Sequence, residues 1–274
     1  MRNIARFRLF RKQILTRPRI CHMKTSIFFA VTLVFASCST SIPERPAGFR
    51  EPLALARQVV VVRTATWDTL GGTLEAFERE RSSDAWKPVR RPLAITVGSA
   101  GLGWGRGLHG SALSAGPVKR EGDRRAPAGA FSLSAVYGYA SADAVEGLSM
   151  PYIPLDSTTV CVDDPTSRYY NMIVDRHNVV EKDWRSAERM RSTGPWYRWG
   201  VVVDHNAEPR IPGDGSCIFL HVWGYPSEPT TGCTSFTEED LVALLKWLRP
   251  SEHPVLVQLP EVEYQRLRDG WQLP

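Results

Sequence analysis

The chain has 274 residues, of which 43% are hydrophobic and 23% charged, a globular composition that excludes a disordered or low-complexity polymer. Its formal charge of +5 invites a nucleic-acid partner. However, eight Lys or Arg and no acid fall within the first 37 residues, leaving 26 basic against 29 acidic residues afterwards. The body of the chain is therefore mildly acidic, and the nucleic-acid class is excluded.

Met23-Lys24-Thr25-Ser26 leads into the apolar run Ile27 to Phe35 and then Ala36-Ser37-Cys38-Ser39. A basic start, a short apolar stretch and small residues at a cleavage point form a secretory signal. The run is too short for a bilayer span, which takes about 20 residues. The small residues ending on Cys38 resemble a bacterial lipobox, with Phe35 at the usual Leu position. That resemblance makes Cys38 the first mature residue and the lipid anchor. Ser39 after it resembles sorting to the outer membrane, facing the periplasm. Residues 1–22 are then an extended n-region or untranslated upstream sequence, 23–37 the signal, and 38–57 a Pro-containing membrane tether.

From Gln58 the chain reads as a sheet-dominated domain to residue 260, with 261–274 left as a C-terminal tail. Gln58 to Arg63 holds four consecutive valines and is a buried strand. Thr73 to Glu80 suits a strand or a short helix, and Trp86 to Val97 reads as extended. Gly101 to Gly107 lacks the Gly-Lys-Ser/Thr ending of a phosphate loop and reads as a flexible turn, with His109 a surface neighbour. Gly122 to Leu133 is a loop entering a strand. Ser186 to Met190 is helix-prone, and Val201-Val202-Val203 and Ile218 to Val222 are buried strands. Thr237-Glu238-Glu239-Asp240 has capping-box spacing, followed by Leu241, Leu244, Leu245 and Leu248 at helical spacing until Pro250.

Chemistry concentrates between Ser216 and Cys233. His221 ends an apolar strand, and Cys233 follows Gly232 twelve residues later, so one loop can bring a thiol and an imidazole together. Gly232 lacks a Cβ, which leaves the backbone N–H groups of Gly232 and Cys233 available to an oxyanion. A helix beginning near Thr237 would favour a thiolate. Of the remaining cysteines in an exported setting, Cys161 and Cys217 either pair or stay as two reduced core residues. Pairing would leave Cys233 the odd, reactive thiol. No cysteine or histidine spacing suits zinc, and no metal or cofactor is expected.

Several motifs together resemble the L,D-transpeptidase catalytic domain, over roughly Val59 to Pro260 and in the right order. They are Gly122-Asp123-x-x-x-Pro127-x-Gly129-x-Phe131, Tyr170-Asn171-x-Ile173-Val174-Asp175, Ser186-Ala187-Glu188, Gly215 to His221, and Pro229-Thr230-Thr231-Gly232-Cys233. The resemblance implies a mainly β fold, a β-sandwich with a few short helices, one of them directly after the cysteine. It also implies Cys233 as nucleophile, His221 as general base and Gly232 as an oxyanion donor. Thr231 is a candidate for an oxyanion or orienting role. The implied partners are peptidoglycan stem peptides, with D-alanine leaving and a neighbouring amine taking the acyl group. Hydrolysis of the same acyl-enzyme, by a carboxypeptidase or amidase, is the alternative chemistry, and an inactive wall-binding lipoprotein the alternative class. The sequence departs from the commoner family pattern at Thr231, in place of a histidine, and at Ser235, in place of an arginine.

Overall fold

The computed structural model describes residues 51–274 except 112, 141–143 and 145. The expected signal, Cys38 and most of the tether lie outside the described residues. In chain order the first strands are β1 (Gln58–Thr64), β2 (Gly71–Glu78), β3 (Lys87–Pro88), β4 (Leu93–Thr96), β5 (Leu102–Trp104), β6 (Ala126–Gly138) and β7 (Tyr152–Pro154). Then come β8 (Thr159–Cys161), β9 (Ile173–Asp175), β10 (Glu188–Arg189), β11 (Trp199–Val203), β12 (Phe219–Val222), β13 (Thr234–Phe236) and β14 (Val255–Pro260). Among the described residues the α-helices are α1 (Glu238–Trp247) and α2 (Glu261–Trp271).

Eight strands close on themselves in the order β1-β14-β6-β11-β12-β13-β4-β2, because β1 pairs with both β14 and β2. The fold is thus mainly β with few helices, as the sequence suggested, but the sheet is a closed barrel. Closure leaves no free edge among these eight strands. Runs buried on every residue, such as Val59 to Val62 and Val255 to Leu259, supply its interior and its helix-covered face.

A separate three-stranded sheet, β10-β8-β9, forms a side lobe. A disulfide between Cys161 on β8 and Cys217 joins this lobe to the approach to β12. The side chain of Asn171 reinforces the join, donating to the His205 and Asn206 carbonyls and accepting from Cys217 N–H at 2.9 Å.

Several expectations change here. The helix-prone stretch around Glu188 is strand β10, because Glu188 and Arg189 pair with Cys161 and Val160 and tertiary pairing overrides local propensity. The flexible turn expected at Gly101–Gly107 contains β5, fully buried and paired in parallel with β6. His109 is buried, not a surface residue. Its ring lies over Gly129, whose φ of +139° and 2.0 Å clearance to the imidazole admit no Cβ. Burial in that apolar surround lowers its pKa to about 4.

The segment expected as a tail from 261 is helix α2, which packs Tyr264, Leu267 and Trp271 against the barrel. The tether's last residues also belong to the body. Leu53 and Ala56 are buried, and their carbonyls accept hydrogen bonds from the Arg79 guanidinium.

Candidate active site

Register decides the geometry of the site. Strands β12 and β13 run parallel, with Leu220 opposite Thr234 and His221 opposite Ser235. Side chains alternate along a strand, so Phe219 and His221 on β12 share a face with Cys233 and Ser235 on and beside β13. The sequence-predicted thiol and imidazole therefore lie on one face of adjacent strands. Both line a cavity of about 190 Å³ whose wall includes Glu188, Trp196, Tyr197, Trp223 and Thr231. A larger cavity of about 500 Å³ near Leu55, Met150 and His253 holds neither residue.

Gly232 adopts φ +150° in the turn before the cysteine, a conformation that favours glycine. The turn is closed by Thr230, whose hydroxyl donates to the Cys233 carbonyl at 2.7 Å and accepts from Gly232 N–H at 3.1 Å. This changes one expectation. The Gly232 N–H is engaged and is not an open oxyanion donor. The hydroxyl built into the cysteine turn is that of Thr230, while Thr231 is exposed at the pocket wall. No sequence signal separated the two adjacent threonines.

The Cys233 thiol is the free cysteine among the described residues, and Cys161 and Cys217 are bonded. Its sulfur accepts from Phe219 N–H at 3.3 Å and donates to the Cys217 carbonyl at 3.5 Å. Burial, with a smaller contribution from the Glu188 carboxylate, pushes the thiol up to about 12. The helix expected near Thr237 is present as α1, but strand β13 separates it from the cysteine, and the resting sulfur is a thiol. The expected capping box is present at that helix start, where Thr237 accepts from Asp240 N–H.

His221 is oriented by its own neighbour. Its Nδ1 donates to the Val222 carbonyl at 2.7 Å, which leaves Nε2 as the lone-pair nitrogen. The Tyr197 ring packs edge-on against the imidazole at 5.4 Å. Burial lowers the imidazole pKa to about 4, so it is neutral and can accept a proton at pH 7.

Three further residues, of which the sequence singled out Ser235 as a departure from the family pattern and Glu188 as part of a motif, complete the pocket. Glu188 accepts from the Tyr197 hydroxyl at 2.7 Å, and burial raises its pKa to about 7. The Ser235 hydroxyl is buried without a hydrogen-bond partner. Glu228 accepts from Trp196 Nε1 and from Gly224 N–H, which fixes the loop between His221 and Cys233. Among the described residues no group of three or more His, Cys, Asp or Glu could hold a metal ion. Nor is any helix among them long and apolar enough to cross a membrane.

What the arrangement can do chemically is proton transfer from a thiol to a neutral imidazole, concerted with attack on an acyl carbon. Compared with protein-family models, curated proteins and solved structures, the chain finds no match.

Proposed function

We propose that this protein is an exported cysteine acyltransferase of the L,D-transpeptidase type, acting on peptidoglycan stem peptides. The observation that carries the reading is the shared strand face of Cys233 and His221, with a free sulfur and a lone-pair Nε2 opening on one pocket. In the first half-reaction the thiol turns from the Cys217 carbonyl to His221 Nε2 and gives up its proton. The sulfur bonds to the stem carbonyl carbon, and the D-alanine amine takes the proton from His221 as the C–N bond breaks. In the second, an amine replaces the sulfur and the thiol is regenerated.

On this reading the closed barrel is flattened into the two facing layers of the family's β-sandwich. Cys38 is the lipid anchor, holding the domain to the outer membrane on its periplasmic side. A lipoprotein signal-peptidase inhibitor should then retard the product on a gel, and an unshifted band rejects the anchor.

Intact mass after exposure to a carbapenem tests the nucleophile. The wild type should gain one adduct and Cys233→Ala none, while equal labelling rejects the assignment. Digestion of purified disaccharide-tetrapeptide then separates transfer, which gives a cross-linked dimer, from hydrolysis, which gives a tripeptide.

A further inference from the structure

Glu188 is the most unusual group on the pocket wall. It reaches the site from the side lobe, where it pairs directly with Cys161 in the β10–β8 ladder. Cys161 is bonded to Cys217, and the Cys217 carbonyl touches the Cys233 sulfur. A strand pairing, one disulfide and one hydrogen bond thus link this carboxyl's strand to the Cys233 sulfur. One oxygen is fixed by the Tyr197 hydroxyl, and Oε2 takes no hydrogen-bond partner among the described residues.

The rest of the wall sharpens the point. Trp196, Tyr197 and Trp223 present aromatic surface, Glu228 is a second acid, and no Lys or Arg lines the pocket among the described residues. An acidic, aromatic pocket attracts an ammonium group. Ser235, at the position where the related pattern carries arginine, contributes a neutral hydroxyl instead.

We propose that Glu188 binds the ammonium of the acyl acceptor and takes its proton, so that the pocket selects a primary amine over water in the second half-reaction. This assignment rests on the acyltransferase reading. The acceptor enters as R–NH3+, and Glu188 carboxylate takes one proton to give R–NH2. The amine nitrogen bonds to the thioester carbon, and His221 Nε2 takes a second nitrogen proton. The C–S bond breaks with its electron pair on sulfur, and His221 returns that proton to Cys233. Glu188 then loses its proton to solvent, leaving an amide, the free thiol and one released proton.

The groups facing Glu188 are Tyr197, Asp163 and Cys233, with Tyr137 behind Tyr197. Burial and the Asp163 charge keep its carboxyl titrating near pH 7, where both the accepting and the released form are populated.

The test is a partition experiment. A disaccharide-tetrapeptide donor, acetylated on its side-chain amine, is offered Nα-acetyl-lysine amide as acceptor, and the ratio of amide to tripeptide acid is read. This ratio does not depend on the fraction of active enzyme. Glu188→Gln should lower it at least tenfold with the lysine acceptor. With hydroxylamine, already neutral at neutral pH, the loss should be under threefold, a contrast that a merely structural role would not produce. A ratio within twofold of wild type for the lysine acceptor, or equal losses for both acceptors, overturns the assignment. If wild type forms an acyl-enzyme and the ratio is unmoved, only the role of Glu188 fails. If wild type forms no acyl-enzyme with the donor, the acyltransferase reading fails as well.

Discussion

Cys217 presents its backbone carbonyl to the Cys233 thiol at 3.5 Å while its own sulfur is bonded to Cys161. The Cys233 thiol is therefore in contact with a residue pinned from a different sheet. The bridge spans 56 residues, for which loop-closure entropy gives about 4 kcal/mol of stabilisation. Cys161→Ala with Cys217→Ala should lower the urea midpoint accordingly, and should also slow carbapenem acylation of Cys233. An unchanged midpoint would show that the bridge does not restrain the unfolded chain.

The turn before Cys233 is closed by Thr230, not by its neighbour. Its hydroxyl makes two hydrogen bonds that hold the Gly232 and Cys233 backbone. Thr230→Val should cost about 1–3 kcal/mol and slow acylation at least tenfold, because two backbone groups lose their partner. Thr231→Ala should change the acylation rate less than threefold. Stopped mass-spectrometric time courses compare the two directly, and the reverse order would restore the role first expected of Thr231.

Acylation should show an unusual pH profile. The imidazole is neutral above about 4 and the thiol remains protonated up to about 12. Proton transfer during attack then gives a rate nearly flat from about pH 5 to about pH 9. A rise centred near the ordinary thiol value would instead indicate a preformed thiolate.

Stability should fall between neutral and mildly acidic pH. His109, His205 and His221 are each held to about 4 by burial, against 6.5 for the free side chain. Between those values the unfolded chain binds protons that the folded chain does not, so stability rises with pH. Glu188 has the opposite sign, since its folded pKa of about 7 makes the native state the better proton binder above 4.5. Buried Asp204 is also raised and opposes the histidines. The three histidines outweigh Glu188 by nearly two protons near pH 5.5, or about 2 kcal/mol per pH unit, which Asp204 reduces further. Urea midpoints at pH 5 and pH 7 check this, and equal values would contradict the buried neutral histidines.

Ser235 carries an unpaired buried hydroxyl on the pocket face. Removing an unsatisfied polar atom relieves its desolvation cost, so Ser235→Ala should raise stability by about 1 kcal/mol. A loss of similar size would mean that the hydroxyl has a partner in solution.

The amino-acid sequence by itself determined the parts of this protein that are local. Four consecutive valines, the leucines after Thr237, and Gly232 before Cys233 each act through their immediate neighbours. The strands, the capped helix α1 and the turn before Cys233 could therefore be read directly. The pairing of Cys161 with Cys217 stayed open in the sequence because two cysteines 56 residues apart carry no register. Only the tertiary structure decided that the sheet closes and that residues 261–271 form a core-packed helix. It alone buried His109 and set Glu188, from the side lobe, beside Cys233. Those outcomes depend on which strands become neighbours, and long-range pairing can turn a helix-prone segment such as Ser186 to Met190 into β10. The same burial raised the thiol and lowered the imidazole, making the pair a neutral acid and base. Spacing alone could place the two residues within reach of each other, but their proton balance is a property of the packed interior.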